Sequence, residues 1–87
     1  MSYRIEIRDS VRKEVAAFPR RDQHRVMAAI ASLAQEPRPL GVRKLSGPFE
    51  AYRIRVGDYR VVYQIADKVL IVYIVRVAHR KDVYRGL

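Results

Sequence analysis

The stretch 52–63 constrains the fold more than any other part of the chain, because apolar and polar residues alternate on both sides of a Gly-Asp pair at 57–58. Such alternation around a tight-turn dipeptide is typical of a β-hairpin. A two-residue turn would place Arg55 directly opposite Arg60, with Arg53 diagonally beside them on the same sheet face. Like charges that face each other across a ladder destabilise it by roughly 0.2–1 kcal/mol per pair. We therefore expect these arginines to serve a polyanionic ligand.

The overall charge agrees with a polyanionic partner. The chain has 87 residues, a formal net charge of +9 and an isoelectric point near 10.5. Residues 1–42 carry eight basic side chains against five acidic ones, and residues 43–87 carry ten against four, so the excess lies mainly in the second half. An isoelectric point above about 9 is the electrostatic signature of proteins that bind phosphate backbones. A basic surface that serves only solubility would have the same composition.

Several classes of protein are excluded by what the sequence lacks. It has no cysteine, so neither disulfides nor a thiolate metal site can hold the fold. His24 and His79 lie on different predicted elements and no carboxylate pair has ligand spacing, so we expect neither a metal nor a cofactor. No apolar run approaches the roughly 20 residues that span a bilayer, and residues 1–8 alternate charged and apolar side chains, unlike a secretory signal. We therefore expect a cytoplasmic protein without membrane contact.

The pattern along the chain predicts an α+β fold in a single domain, residues 1–87. An alternating strand precedes two amphipathic helices that Pro19 separates, and three strands joined by tight turns follow. The predicted elements are a strand at 3–7, a helix that Asp9 or Ser10 can cap and that runs to about residue 18, a helix at about 20–35, a polar loop at 37–48, and strands at about 49–56, 59–65 and 69–77. This β-α-α-β-β-β order gives a mainly antiparallel sheet with two N-terminal helices packed on one face. The face of Arg76 stays open, because the register of the second hairpin is uncertain by one residue.

The two faces of the predicted sheet differ in chemistry. Apolar hairpin residues share the face that the helices cover, and the last strand is apolar on both faces, which is typical of an interior strand. Arg53, Arg55 and Arg60 lie on the other face, which we expect to be open. His79 and the residues after it are expected to fold over that open face and form a basic concavity with Tyr84 at its rim. Such a surface suits single-stranded RNA, with arginines on phosphates and a tyrosine stacked on a base.

A basic surface of this kind can cut RNA without a metal. RNA carries its own nucleophile, the 2′-hydroxyl next to each phosphodiester, so an enzyme needs to orient that hydroxyl, stabilise the pentavalent phosphorane and move two protons. Arginine suits the stabilising task, because it stays charged and contacts two phosphate oxygens at once. A metal-free ribonuclease is chemically possible here, although spacing alone does not establish it.

Four segments together resemble the RelE/ParE toxin superfamily of type II toxin–antitoxin systems. They are Tyr-Arg-Ile-Arg-Val-Gly-Asp-Tyr-Arg-Val-Val-Tyr at 52–63, Asp-Lys at 67–68 before an apolar strand, Ala-His-Arg-Lys-Asp-Val-Tyr at 78–84, and Lys-Leu-Ser-Gly at 44–47. The resemblance covers the whole chain, including the order of its elements. It is closer to RelE than to ParE, chiefly through the paired basic residues before the turn and the His-Arg…Val-Tyr ending.

The resemblance implies a toxin that enters the ribosomal A site and cuts mRNA there with the 2′-hydroxyl as nucleophile. It also implies three partners: a cognate antitoxin, the ribosome with its mRNA, and operator DNA only through the antitoxin complex. Residue by residue, the basic pair before the turn is Arg53 and Arg55, the arginine after the turn is Arg60, and the arginine and tyrosine of the ending are Arg80 and Tyr84. An acidic, partly disordered antitoxin segment would suit the basic face.

The basic pair before the turn departs from the RelE pattern. Well-known RelE toxins have lysines at both positions, one of them assigned as general base, whereas this chain has Arg53 and Arg55. Arginine does not readily lose a proton, so we expect Arg55 to orient and neutralise the phosphate rather than act as base. Our hypothesis is that His79 moves one of the protons, with Tyr84 or Arg80 assisting at the leaving 5′-oxygen. Further basic residues are expected to contact RNA or the ribosome: Arg43, Lys44, Lys81 and Arg85.

Two other functions are open to the same fold. A ParE-like chain would inhibit DNA gyrase by binding, without nuclease activity, and would not need the arginine and tyrosine set. A chain that has lost activity would serve as a module that binds antitoxin and operator DNA, because a fold does not fix a function.

Overall fold

Seven elements make up the part of the chain that the computed structural model describes, residues 2–47 and 50–85. In chain order they are β1 (Arg4–Ile7), α1 (Asp9–Ala16), α2 (Arg20–Ser32), β2 (Arg43–Leu45), β3 (Ala51–Val56), β4 (Tyr59–Ala66) and β5 (Ile71–His79). The strands form one sheet in the order β1-β5-β4-β3-β2. Neighbouring strands are antiparallel except β1 and β5, which are parallel. Both helices pack on one face of this sheet, which confirms the predicted α+β architecture.

Each helix buries an apolar stripe against the sheet. Val11 and Val15 of α1 and Val26 and Ile30 of α2 are buried. Pro19 separates the helices as predicted and lies at the N-cap of α2, where its lack of an N–H costs no helical hydrogen bond. The helices end two to three residues earlier than predicted, within the usual uncertainty of helix ends. In the described ranges neither helix is long and apolar enough to cross a membrane.

Two local expectations about the N-terminal half were wrong. Neither Asp9 nor Ser10 caps α1; the N-cap is Arg8, and no side chain bonds there. The predicted loop 37–48 contains the short edge strand β2, whose Arg43 lies opposite Arg53 of β3. Three residues are too few for an alternating pattern to be visible in the sequence. The predicted start of the next strand, at residue 49, lies outside the described residues.

The hairpin of β3 and β4 has the predicted register. Arg55 lies opposite Arg60, and Gly57 opens the turn with a φ of +59°, as the first central residue of a type II′ turn requires. The turn between β4 and β5 is longer than predicted and spans residues 67–70, where Leu70 adopts a φ of +56°. For this reason β5 begins at Ile71 rather than at residue 69.

A β-bulge interrupts the pairing of β4 with β5. Val62 lies opposite Arg76, whereas Tyr63 lies opposite Ile74, so Val75 is the extra residue. Because side chains alternate along a strand, this extra residue exchanges the two faces for the remainder of β5. Arg76 therefore lies on the face away from the helices.

α1 covers the edge of β5 beyond the end of β1. The pairing of β1 stops at Ile74 of β5, and farther along β5 the Glu14 carboxylate accepts the backbone N–H of Val77 at 3.1 Å. The other oxygen of Glu14 lies 3.5 Å from Nε of Arg76. A helix side chain thus takes the place of a strand partner at an otherwise exposed edge.

Two apolar clusters lie on opposite faces of the sheet. The larger one fills the space between sheet and helices; its buried members are Val11, Val15, Val26, Ile30, Leu33, Ile54, Val61, Tyr63, Val72, Ile74 and Val77. Tyr63 donates its hydroxyl to the carbonyl of Pro37 at 2.7 Å, and burial raises the pKa of this phenol to about 12. The smaller cluster lies on the helix-free face, where Val83 of the tail packs against Val62 and Ala78.

Candidate functional site

Four arginines share the sheet face that the helices leave free. Directly opposed residues of an antiparallel pair point to the same side, and the register opposes Arg55 to Arg60 and Arg43 to Arg53. We call this set, Arg43, Arg53, Arg55 and Arg60, the arginine face. It contains two like-charged cross-strand pairs, one predicted from the hairpin and one contributed by the unexpected strand β2.

Among the described residues, the arginine face has no acidic partner. Every aspartate and glutamate of the sequence lies within the described residues, yet none of their carboxylates comes within 4.0 Å of Arg43, Arg53, Arg55 or Arg60. The Arg53 side chain is only 9% exposed, and its Nε has no hydrogen-bond partner in the described part of the chain. Burying an unpaired charge is costly. The positive charge of this surface is therefore uncompensated within the described residues.

Arg60 lies at the electrostatic centre of the group. Burial lowers the pKa of its guanidinium from the ordinary value. The positive charges of Arg55, Arg53 and Arg80 lower this pKa further, while Tyr84 acts in the opposite direction. The guanidinium donates to the carbonyls of the hairpin turn, at 3.0 Å to residue 57 and 2.9 Å to residue 59, which fixes its position. The structure thus brings five of the six predicted catalytic residues into one electrostatically coupled group.

The tail carries two members of this group across the sheet. Val83 is fully buried in the smaller apolar cluster, and it anchors the segment in which Arg80 and Tyr84 lie. The backbone N–H of Arg80 donates to the carbonyl of Asp58 at 2.8 Å, and its Nε lies 4.0 Å from the Asp58 carboxylate. Tyr84 remains half exposed, so a ligand can reach it. The expectation that the tail folds over the helix-free face holds for these residues.

His79 does not join the arginine face. It pairs with Tyr59, and the two rings meet edge-on with centroids 6.1 Å apart. Tyr59 belongs to the helix side, where its ring lies 4.2 Å from that of Phe18 and its hydroxyl donates to Asp22 at 3.1 Å. The bulge is the cause, because without Val75 as an extra residue the alternation of β5 would turn His79 to the other face.

The residues predicted to contact RNA or the ribosome divide between the two faces. Arg43 belongs to the arginine face, whereas Lys44 lies opposite Tyr52 on the other side and is 3.6 Å from Glu50. The two remaining residues, Lys81 and Arg85, are exposed on the tail. The sequence predicts a loop at 37–48 and therefore only an RNA or ribosome contact for Arg43, not a position on the arginine face. In the described ranges no group of three metal-ligating side chains is close enough to hold a metal ion.

A small α+β chain with this strand order and with arginines gathered on the helix-free sheet face has the features of the toxins of type II toxin–antitoxin systems. The sequence model of the family described as "ParE toxin of type II toxin-antitoxin system, parDE" matches residues 3–84. The chain is 36% identical to Toxin RelG of Mycobacterium tuberculosis over 89 aligned positions, which cover 98% of this chain and 99% of that one. It therefore belongs to the ParE toxin family within the RelE/ParE superfamily.

Solved structures support the same assignment. The fold matches a chain in the crystal structure of an archaeal RelE–RelB complex from Pyrococcus horikoshii with a TM-score of 0.82 and 32% identity, over 95% of this chain and 100% of that one. It matches a chain of the toxin–antitoxin complex RelBE2 from Mycobacterium tuberculosis with a TM-score of 0.80 and 27% identity, over 92% and 100%. Among the superfamily's branches, the chain is thus RelE-like.

Proposed function

We propose that this toxin is a ribosome-dependent endoribonuclease that cuts mRNA in the ribosomal A site. The arginine face is the observation that carries the proposal. It offers a buried cation at Arg53, a fixed one at Arg60 and no carboxylate of the described chain to neutralise them. A phosphodiester supplies the missing negative charge, and the superfamily membership supports mRNA as its source.

In the proposed reaction the RNA performs the substitution on itself. Its 2′-hydroxyl loses a proton and attacks the adjacent phosphorus, the bond to the 5′-oxygen breaks, and that oxygen gains a proton. The products are a 2′,3′-cyclic phosphate and a 5′-hydroxyl end. Arg53 and Arg60 stabilise the negative charge that grows on the phosphorane, and the exposed Arg55 guides the phosphate into place.

The two protons need groups other than arginine, because arginine stays charged at any physiological pH. Tyr84 is half exposed and acts electrostatically on Arg60, and we propose that it protonates the leaving 5′-oxygen or stacks on a base. His79 was the sequence-based choice for one proton, but its imidazole lies on the helix side. In the proposed reaction the proton of the 2′-hydroxyl passes to solvent water.

The test is primer extension on a defined mRNA, incubated with purified ribosomes and either the wild type or Arg60→Ala. We expect a cut within the A-site codon for the wild type and a loss of about 100- to 1,000-fold in rate for the variant, which is the usual effect of removing one donor to developing charge. Arg12→Ala, which removes an exposed arginine of α1, is the matched control and should keep full activity. Equal cutting by the wild type and Arg60→Ala would overturn the role of the arginine face.

A second candidate is inhibition of DNA gyrase, because the matching family model is that of ParE. A supercoiling assay with purified gyrase separates the two functions. Blocked supercoiling with intact mRNA on active ribosomes would establish the ParE-like activity. Intact mRNA together with normal supercoiling would favour a module that only binds antitoxin and operator DNA.

We further propose a cognate antitoxin as the cytoplasmic partner of this toxin, with operator DNA bound only through their complex. The basis is the RelE–RelB pairing in the related structures and the uncompensated charge of the arginine face. An acidic antitoxin segment that covers Arg53, Arg55 and Arg60 would abolish RNA binding. Fluorescence anisotropy of a labelled RNA oligonucleotide, with and without antitoxin, measures this masking. RNA affinity that persists in the complex would contradict it.

A further inference from the structure

The turn that follows β5 depends on one residue for most of its hydrogen bonds. The backbone carbonyl of His79 accepts the N–H groups of residues 82 and 83 at 2.8 and 3.0 Å. Its side-chain Nδ1 accepts the N–H of Lys81 at 3.2 Å. The N–H of Arg80 donates to the carbonyl of Asp58. Each backbone N–H from residue 80 to 83 thus has an acceptor. Three of these N–H groups donate to backbone carbonyls, and the fourth donates to the His79 imidazole.

The imidazole is itself held by the helix layer. It is half-buried, with the ring of Tyr59 edge-on at 6.1 Å and 80°. Tyr59 is fixed in turn by Phe18 and by the carboxylate of Asp22. Accepting this hydrogen bond at Nδ1 requires the tautomer whose ring proton lies on Nε2. Through Nδ1 the ring therefore holds the tail and has no lone pair left there for a proton from RNA.

We propose that His79 is a positioning residue that links the helix layer to the arginine face. Its Nδ1 closes the turn at 80–83 in the way that an aspartate or asparagine oxygen closes an Asx turn, by accepting the N–H two residues ahead. That turn sets Arg80 and Tyr84 on either side of the buried Val83. The activity readout of this inference rests on the proposed function, whereas its structural readout does not.

Asparagine and glutamine at position 79 form the sharpest pair of variants. The side-chain oxygen of His79→Asn lies where Nδ1 lies and can accept the N–H of Lys81, whereas that of His79→Gln extends toward the Nε2 position and misses it. Both amides are polar, and neither transfers protons. The first readout is amide hydrogen exchange of Lys81 and Val83 in the free protein. The second is single-turnover cleavage on programmed ribosomes at saturating toxin, together with the toxin concentration at half-maximal rate.

We expect His79→Asn to retain wild-type exchange protection and to cut within about threefold of the wild-type rate. We expect His79→Gln to lose protection at Lys81 and about tenfold or more in maximal rate, with little change in half-saturating concentration, because misplacing a catalytic group affects the chemical step. A rate loss of about 100-fold or more in both variants would overturn the proposal and identify His79 as a proton-transfer group. Equal protection in both variants would also overturn it. If the wild type does not cut mRNA, the proposed nuclease function fails, and exchange protection alone decides the positioning role.

Discussion

Replacing Arg53 by methionine should make the protein more stable while it removes the proposed nuclease activity. The Arg53 side chain is only 9% exposed, it lies opposite Arg43 and Val62, and its Nε lacks a hydrogen-bond partner within the described residues. The unbranched stem of methionine follows the path of the arginine stem and fills the same space. Arg53→Met therefore keeps the packing and removes the buried charge.

The expected gain follows from the cost of one buried, unbonded polar group, about 1–3 kcal/mol. In a domain of 60–100 residues, each 1 kcal/mol shifts the melting temperature by about 4–8 °C. Differential scanning calorimetry should accordingly show a rise of at least about 4 °C for Arg53→Met. If the proposed function is correct, cleavage on programmed ribosomes should fall by about 100-fold or more, because the proposed reaction loses a cation that stabilises the phosphorane.

Arg55→Met is the matched control, since it removes the same charge from an exposed position of the same strand. It relieves the cross-strand repulsion with Arg60 and should gain less than about 1 kcal/mol. The difference in melting temperature between the two variants isolates the effect of burying the Arg53 guanidinium. A melting temperature of Arg53→Met at or below that of Arg55→Met would refute the reasoning, because the guanidinium of Arg53 would then be stabilising where it lies.

Three further predictions concern the scaffold. Tyr63→Phe should lower the free energy of unfolding by about 1 kcal/mol, because the hydrogen bond to Pro37 is lost. Burial raises the pKa of Tyr63 to about 12, so the stability contributed by its phenol is complete below about pH 10 and is lost as the pH rises toward 12. Urea unfolding should therefore show a smaller alkaline loss of unfolding free energy for the variant than for the wild type. Gly57→Ala should cost about 1–2 kcal/mol, because alanine is strained at the φ of +59°. A Cβ at position 57 would also lie 3.1 Å from the Arg25 guanidinium. Adding Arg25→Ala removes that close contact but should not restore stability in thermal unfolding, because the backbone strain persists. Val83→Ala should cost about 2 kcal/mol, and hydrogen exchange should show that the loss concentrates in the tail; uniform loss of protection would count against Val83 as a local anchor.

The sequence predicted the elements whose signals are local. The alternation at 52–63 determined the register of the first hairpin, and the apolar stripes with Pro19 determined the two helices. The strand at Arg43–Leu45 could not be found in this way, because its only support is its pairing with β3. Its arginine therefore joined the candidate site only in three dimensions.

The sequence predicted the sheet face of those candidate-site residues that lie in the first hairpin. Arg53, Arg55 and Arg60 follow from the hairpin, but the face of His79 depends on the extra residue at Val75. The sequence of a strand that is apolar on both faces does not reveal a bulge. With or without the extra residue, apolar side chains lie on both faces of the strand. The same bulge decided the face of Arg76, which the sequence left open.

The parallel pairing of β1 with β5 has a consequence for biosynthesis. Strand β1 pairs with β5, so residues 71–79 must be synthesised before the sheet can close. Arg80 and Tyr84 follow β5 in the chain and are synthesised after it. Until then, the arginines of β3 and β4 belong to a sheet that lacks β5. Because domains assemble as units while synthesis proceeds from the N-terminus, a nascent copy lacks the complete candidate site until residues 80–84 have emerged. Chain topology thus delays completion of the candidate site until after β5 has been synthesised.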